Sequence, residues 1–455
     1  MDRSDKRIYT LSSEKPVIAV LKTGVPLVLG MFVMVFYNLV DTFFIGKLND
    51  DFQMAAVNLG YPVMMIMIAV GNMVGTGGSS VIARFLGAGD TDKAEQTLCM
   101  GYVLTLVNSL ALGAAGLLFL QPLVSVLGAA ENTFGYTADY VSVLLAGGFF
   151  LMGNYTFGQL MRAEGSVKYS VIGMMTGAVA NIALDPIFIF GLSMGVKGAA
   201  VATVLGNATG SAVMVFLYII RKTILKFHAV NFKPDFGLIT EIYRVGIPAS
   251  LETTFSAATF VVLNNLAVDY GELAVAGMGI SQKVMSFGSY IYQGFAAGLQ
   301  PLMGYNCGAK NFDRMLKLLK ANVLVTGAVE IVVMVVFGIF APVIIGRFTI
   351  NPVVIRYGCR VLRANMFILP FVGATSSSRA TFQSMGKPLY ALGITIVRQG
   401  VLYIPLLLLM NTMFDFYGLI WAQPVTELIT MIGALVLLTG FLKRARNNVQ
   451  DLQAG

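Results

Sequence analysis

GAGDTDKA at residues 87–94 returns as GAKNFDRM at 308–315, 221 positions later (308 against 87), with Gly87 and Gly308, Ala88 and Ala309, Asp92 and Asp313, and Lys93 and Arg314 in register. The recurrence is not isolated. KTGVP (22–26) returns as RVGIP (244–248) at an offset of 222, GSVKY (165–169) as GKPLY (386–390) at 221, and Pro186 as Pro405 at 219. Self-similarity at a fixed period defines the unit of the fold and has to be read before any local feature. Four ordered matches make that unit about half of the 455 residues.

Each half is overwhelmingly apolar. The chain is 56% hydrophobic and only 12% charged, with a mean hydropathy of +0.77, against roughly 25% charged residues in soluble domains. Runs long enough to cross ~30 Å of hydrocarbon fall at 16–45, 54–82, 95–120, 133–160, 167–191 and 196–220, and again at 240–268, 273–305, 316–345, 353–382, 389–411 and 416–442. The expected fold is therefore an all-α integral membrane protein, with twelve transmembrane helices in two pseudo-symmetric six-helix lobes. Six spans per half bring both copies into the membrane from the same side, so the repeat is parallel, with its axis along the membrane normal. Secondary transporters carry such repeats, with their binding sites at mid-membrane. RKTILKFHAVNFKPDFGLITEIYR (221–244) is the longest polar interruption. It divides the chain into an N-terminal lobe (1–221), a cytoplasmic linker (222–240) and a C-terminal lobe (241–455).

The formal charge of +8 is spread over loops rather than gathered in a patch, which argues for topology and against a nucleic-acid partner. Segments assigned to the inner side, counting Arg162 and Arg379 among them, hold 23 lysines and arginines, and outer segments hold 6. The positive-inside rule then places both termini in the cytoplasm and the chain in the cytoplasmic membrane. The first 22 residues are polar and charged, so no cleavable signal peptide is expected. Cys99, Cys307 and Cys359 lie far apart, and His228, the single histidine, falls in the linker. No haem, zinc or other cofactor is expected, and no GxSxG elbow lies within a span, which argues against an enzyme.

ANIALDPIFIF (180–190) then stands out, because it sets Asp185 inside a lipid-embedded run. An intramembrane acid is by default a functional site whose partner has to be named. The repeat acts as a control: Asp185 corresponds to Ile404, Asn181 to Gly400, Thr203 to Gln423 and Asp41 to Leu263, so this polar set belongs to one half. Asp41 is five residues before Gly46, Asp185 six before Gly191, and Thr203 five after Gly198. At ~1.5 Å per residue all three lie roughly 8–9 Å below the outer ends of their spans. Asn181 is one turn deeper than Asp185 on the same face, and Tyr37 stands likewise to Asp41. Two carboxylates, an amide oxygen and a hydroxyl can hold a small hard cation such as Na+, or the two acids can share a proton. The plainer alternative is that the four groups bond to one another as helix glue. In the other half Glu252, Lys283, Glu330, Arg398 and Glu427 are intramembrane charges that can neutralise one another, with Glu252 the exception because it closely follows Pro248. The 25 methionines suit an adaptable apolar pocket or lipid-facing filler.

GVPLVLGMFVMVFYNLVDTFFIG in span 1, RFLGAGDTDKA in the first inner loop, and RAEGSVKYS through NIALDPIFIFGLSMGVKGAAVAT across spans 5 and 6 resemble the multidrug and toxic compound extrusion (MATE) transporters. GLQPLMGYNCGAKN, QSMGKPLY and RQGVLYIP echo this in the second half. The resemblance covers nearly the whole chain. It implies a V-shaped, twelve-helix antiporter that exports lipophilic organic cations in exchange for H+ or Na+. It also implies that Asp41, Asn181, Asp185 and Thr203 are the cation-coupling residues of the DinF-type branch, and that span 1 can bend near Pro26. Another branch pairs an acid in the seventh span with one in the tenth; Glu252 fits the first, whereas FVGATSSSRATF in span 10 has no carboxylate. Tyr37, Asn154 and Glu252 are the expected cargo contacts, and the working unit is expected to be a monomer. The alternatives are a lipid-linked oligosaccharide flippase or an exporter of a specific metabolite on the same fold.

Overall fold

The computed structural model describes residues 3–220, 222–227 and 234–454; Arg221, His228 and Lys233 lie outside the described residues. The chain runs α1 (Arg3–Ser12), α2 (Pro16–Gly46), α3 (Asp51–Gly87), α4 (Thr91–Leu118), α5 (Leu120–Val126), α6 (Glu131–Ala146), α7 (Gly148–Ala163) and α8 (Val167–Pro186), which closes in a π turn at Ile187–Gly191. It continues through α9 (Gly195–Ile219), α10 (Phe236–Val268), α11 (Glu272–Gly308), α12 (Phe312–Ile339), α13 (Ala341–Gly346), α14 (Pro352–Ser384), α15 (Pro388–Ile396) with a π segment at Val397–Tyr403, and α16 (Ile404–Ala454). No strand occurs among the described residues. Helices satisfy every backbone donor and acceptor within the segment, which is what a chain in hydrocarbon requires.

Seven of these helical runs are long and apolar enough to cross a bilayer, and α6 with α7, bent by 51°, forms an eighth. More polar but longer are α10, α11 and α14, of 33, 37 and 33 residues. The last run is two helices that meet at Asp415, where φ is 50°. Twelve rods result among the described residues, as the hydropathy predicts. Their boundaries differ from the expected ones in three places: the run at 133–160 breaks at Gly147, and the runs at 95–120 and 316–345 each shed a short terminal helix, α5 and α13. Apolar side chains stand outward on the rods, among them Phe36, Leu110, Val332 and Val436, each more than 60% exposed. A bilayer covers such faces.

The repeat is written into the turns. Left-handed backbone falls at Asn49 and Gly271, Gly89 and Lys310, Gly165 and Gly386, and Ser193 and Asp415, each pair separated by 221 or 222 residues. Asp90 caps α4 by accepting from Lys93 N, and Asn311, 221 residues on, caps α12 by accepting from Arg314 N. The same stop and start signals therefore fold both halves.

Packing groups Met1–Thr10 with Leu29–Ser250 as one compact unit and Leu11–Val28 with Leu251–Gly455 as another. Of the three changes of unit, those after Val28 and after Ser250 each fall two residues past a repeat proline, Pro26 in α2 and Pro248 in α10. Within the first unit, the start of α10 lies against α3 so closely that neither Gly77 nor Gly246 has room for a Cβ beside the Ile242 and Met73 carbonyls. Within the second, the start of α2 lies against α11, and a Cβ on Gly298 would stand 2.8 Å from the Gly24 Cα. Small residues at these crossings are what allow close helix approach without a hydrophobic driving force.

Candidate functional site

The site grows from the α8–α9 contact. Gly173 and Gly177 on α8 face Gly206 and Gly210 on α9, and a Cβ on Gly206 would meet the Asn181 Cβ at 2.7 Å and the Gly177 carbonyl at 2.9 Å. This approach puts Asn181 beside Thr203, whose Oγ1 accepts from Asn181 Nδ2 at 3.4 Å. The Tyr37 hydroxyl, from α2, hydrogen-bonds the Thr203 side chain and lies in electrostatic reach of Asp41. Asp41 and Asp185 lie in electrostatic reach of each other, and the Tyr140 hydroxyl on α6 is in reach of both. Asp185, Asn181 and Thr203 are 0%, 2% and 5% exposed.

Four oxygens in this group have no hydrogen-bond partner: Asp41 Oδ1, Asn181 Oδ1 and both Asp185 oxygens. Buried acceptors without donors are costly, at roughly 1–3 kcal/mol each, and as a set they attract a proton or a small cation. The donor chemistry of carboxylates, an amide oxygen and a hydroxyl fits a hard ion such as Na+. The spacing places Asp41, Asp185 and Thr203 at one level and Asn181 a turn deeper, and the structure brings these four together with Tyr37. Sequence reading missed Tyr140. No charge marks it, and its packing against Gly60, which leaves no room for a Cβ there, becomes visible only in three dimensions.

Asn154 lies on α7 and donates to Asn207 Oδ1 at 3.0 Å, while Asn207 donates to the Thr203 carbonyl at 2.8 Å. A chain of amides thus links Asn154 to Thr203 and its neighbours. Asn154, Tyr155, Arg162, Met34, Met174 and Asn207 line a small cavity of about 40 Å³. Arg162, assigned from sequence to an inner loop, instead reaches this cavity and donates to Ser170 Oγ at 3.0 Å. Arg379, assigned in the same way, pairs with Glu252 inside the second unit. Two arginines at helix ends were close enough to the loops in sequence to be miscounted with them.

Charges in the second unit are mostly neutralised in pairs. Besides Glu252 with Arg379, Arg398 bonds Glu427 at 2.7 Å; Lys283 is exposed. A larger cavity of about 330 Å³ lies here, lined by Gln282, Tyr292, Asn365 and Gln423 as well as the Arg398–Glu427 pair. Its fixed charges already satisfy one another, unlike the acids of the first unit.

Two six-rod halves repeated in parallel, with acids buried among the rods, define a multispan membrane transporter. The MatE family model matches residues 26–187 and again 248–409, an offset of 222 (248 against 26), which is the internal duplication itself. This chain belongs to the MatE family, and is a transporter rather than an enzyme. It is 29% identical to the multidrug export protein MepA of Staphylococcus aureus (strain MRSA252) over 449 residues, covering 98% of each chain. It is also 29% identical to MepA of Staphylococcus haemolyticus over 444 residues, covering 97% of each. An outward-facing multidrug resistance MATE family transporter of the MOP superfamily superposes with a TM-score of 0.92 at 26% identity, covering 98% of this chain and 100% of the other. A MOP superfamily transporter from Pyrococcus furiosus, described as having a binding pocket of reversed polarity, superposes with a TM-score of 0.90 at 26% identity, over 98% and 100% of the chains.

Proposed function

We propose that this chain is a secondary active multidrug efflux antiporter, which exports lipophilic organic cations in exchange for H+ or Na+ by alternating access. The observation that carries the reading is the group of donorless oxygens on Asp41, Asn181 and Asp185. The full-length similarity to proteins named for multidrug export supports the cargo class. The two part-buried arginines of the second unit, Arg379 and Arg398, are each paired with a glutamate. That disfavours the flippase alternative, which needs cations open to a pyrophosphate.

Asp41 and Asp185 act as a switchable negative charge. Ionised, they attract a cationic cargo; when an external proton or Na+ arrives, held by Asp41, Asn181, Asp185 and Thr203, the attraction ends and the cargo leaves. Tyr37 offers a ring face to the cargo cation, Asn154 an amide, and Glu252 a carboxylate shared with Arg379. Pro26 lacks the amide proton that would complete the α2 ladder, which makes it the hinge between an N-terminal lobe (1–221) and a C-terminal lobe (241–455) joined by the 222–240 linker. The protein works as a monomer in the cytoplasmic membrane, with both termini inside. One elementary charge moving down the membrane potential contributes ~2.3 kcal/mol per ~100 mV, enough to drive accumulation against a gradient.

Transport of a lipophilic dye cation by proteoliposomes, under an imposed pH gradient and then an imposed Na+ gradient, tests this reading. One of the gradients drives export by the wild type, and Asp185→Asn, folded and inserted, exports nothing. Undiminished export by Asp185→Asn removes the first-unit acids from the mechanism.

A further inference from the structure

Glu330 is the acid of the second unit that the ion pairs leave over. It is 0% exposed on α12, and neither carboxyl oxygen has a hydrogen-bond partner. Gly373 on α14 makes room for it: a Cβ there would stand 2.7 Å from Glu330 Oε2 and 3.0 Å from Thr326 Cγ2. The equivalent residue of the first half is Ser109 (330 against 109, an offset of 221), so the shared fold does not call for an acid at this place.

Surroundings differ sharply in the two directions along α12. One and two turns toward its N-terminal end stand Thr326 and Asn322, 1% and 0% exposed, whose Oγ1 and Oδ1 also lack partners. Asn322 Nδ2 donates to Ser377 Oγ at 2.8 Å, and buried Thr381 and Ser384 continue the polar line along α14. In the other direction come Val333, Met334 and Phe337, packed with Met366 and Leu369 in an apolar cluster. The carboxyl is thus the blind end of a polar seam. The seam runs toward the end of the helix pair that carries Arg314, Lys317 and Lys387.

Among the described residues, no base neutralises it from the packed elements. Tyr292 on α11 is in electrostatic reach of Glu330, Arg398 and Glu427, but Arg398 is held by Glu427 and Arg379 on α14 by Glu252. A carboxylate with neither counter-ion nor donor in such a place is carried as the neutral acid, and a polar seam gives its proton a route.

We propose that Glu330 is a proton-binding site of the second half, which takes up and gives back one proton through the Asn322–Thr326–Ser377 seam from the basic-loop end. It is separate from the Asp41–Asp185 group and does not depend on that group's role. The step is a simple protonation: carboxylate plus a proton from water at the seam mouth gives the carboxylic acid, and the reverse on release.

Infrared titration of the full-length protein in lipid, with Asp41→Asn and Asp185→Asn as background, tests it. Subtracting the spectrum of the same background with Glu330→Gln cancels every other carboxyl, including Glu164. The expected difference is a carboxylic acid C=O band that falls as pH is raised while carboxylate bands grow, and Thr326→Val slows this response after a pH jump. An empty difference spectrum, or a band constant at every pH at which the protein stays folded, overturns the proposal. If Glu330→Gln does not assemble, Glu330→Asp serves: a titrating band at an altered frequency supports the site, and an unaltered spectrum overturns it.

Discussion

Asn181 donates its amide nitrogen to the Thr203 hydroxyl at 3.4 Å across α8 and α9, leaving its own oxygen without a donor. Thr203 also holds the Tyr37 hydroxyl, so a single side chain orients two members of the ion group. Thr203→Val keeps the shape and removes both bonds. At ~1 kcal/mol for each typical hydrogen bond, about 2 kcal/mol for the two, the apparent affinity for the coupling ion should weaken by about 30-fold. Ion dependence of dye export checks this, and an unaltered dependence would detach Thr203 from the site.

The glycines at the α8–α9 crossing set that geometry. Gly206→Ala drives a methyl into the Asn181 Cβ and the Gly177 carbonyl, an overpacking that costs about 1–3 kcal/mol and pushes Asn181 away from Thr203. Gly433→Ala, on α16 with no neighbouring atom within 4 Å of its added methyl, should instead be neutral or slightly stabilising. Thermal unfolding of the two variants in detergent, compared side by side, separates packing from propensity.

Glu252 is tied to Arg379 within the second unit, the two side chains being 26% and 11% exposed. Glu252→Gln or Arg379→Gln alone leaves a charge uncompensated, at a cost of up to about 3–5 kcal/mol. The double variant should be more stable than either single one. If Glu252→Gln instead keeps full stability while weakening cargo binding, contact with cargo is its main task and the ion pair is incidental.

Glu164 gives the protein a pH dependence outside its spans. It is 0% exposed in the loop after α7 and accepts from Ile224 N at 3.1 Å and Leu225 N at 2.7 Å. Burial outweighs these bonds and the nearby Arg7, and pushes its carboxyl from 4.5 up to about 7. The folded state therefore binds the proton more tightly than the unfolded chain does. This contribution to stability is complete below about pH 4.5 and is lost as pH rises through about 7, on the order of 3 kcal/mol in all. Unfolding temperatures measured at about pH 5 and about pH 8 should differ in the wild type, and Glu164→Gln should narrow the difference. A gap of the same size in that variant would place the titrating group elsewhere.

Much of this was legible in the sequence because the governing spacings are local. Hydropathy gave twelve rods, the doubled motifs gave the repeat, and a rise of 1.5 Å per residue was enough to bring Asp41, Asp185 and Thr203 to one depth. The break at Gly147 was hidden, since the Ala146–Gly147–Gly148 stretch is as apolar as its flanks. Arg162 and Arg379 were misplaced because a long side chain at a helix end can turn inward or outward with the same hydropathy. Tyr140 joined the site through tertiary packing of α6, which no periodicity encodes. Of the intramembrane charges in the second half, the sequence foresaw mutual neutralisation with Glu252 as the exception; Arg398–Glu427 carries out the first part, whereas Glu252 is itself paired, with an Arg379 that had been counted with the loops, and the isolation of Glu330 emerges only once those partners are known.

Cation release on cargo binding probes the first-unit site most directly. Purified protein in weakly buffered detergent, first loaded with the coupling ion, is mixed with a lipophilic dye cation while a pH indicator and a Na+ electrode are read. The wild type should release one of the two ions, and Asp41→Asn/Asp185→Asn should lose that release. Equal release from the two proteins would contradict it.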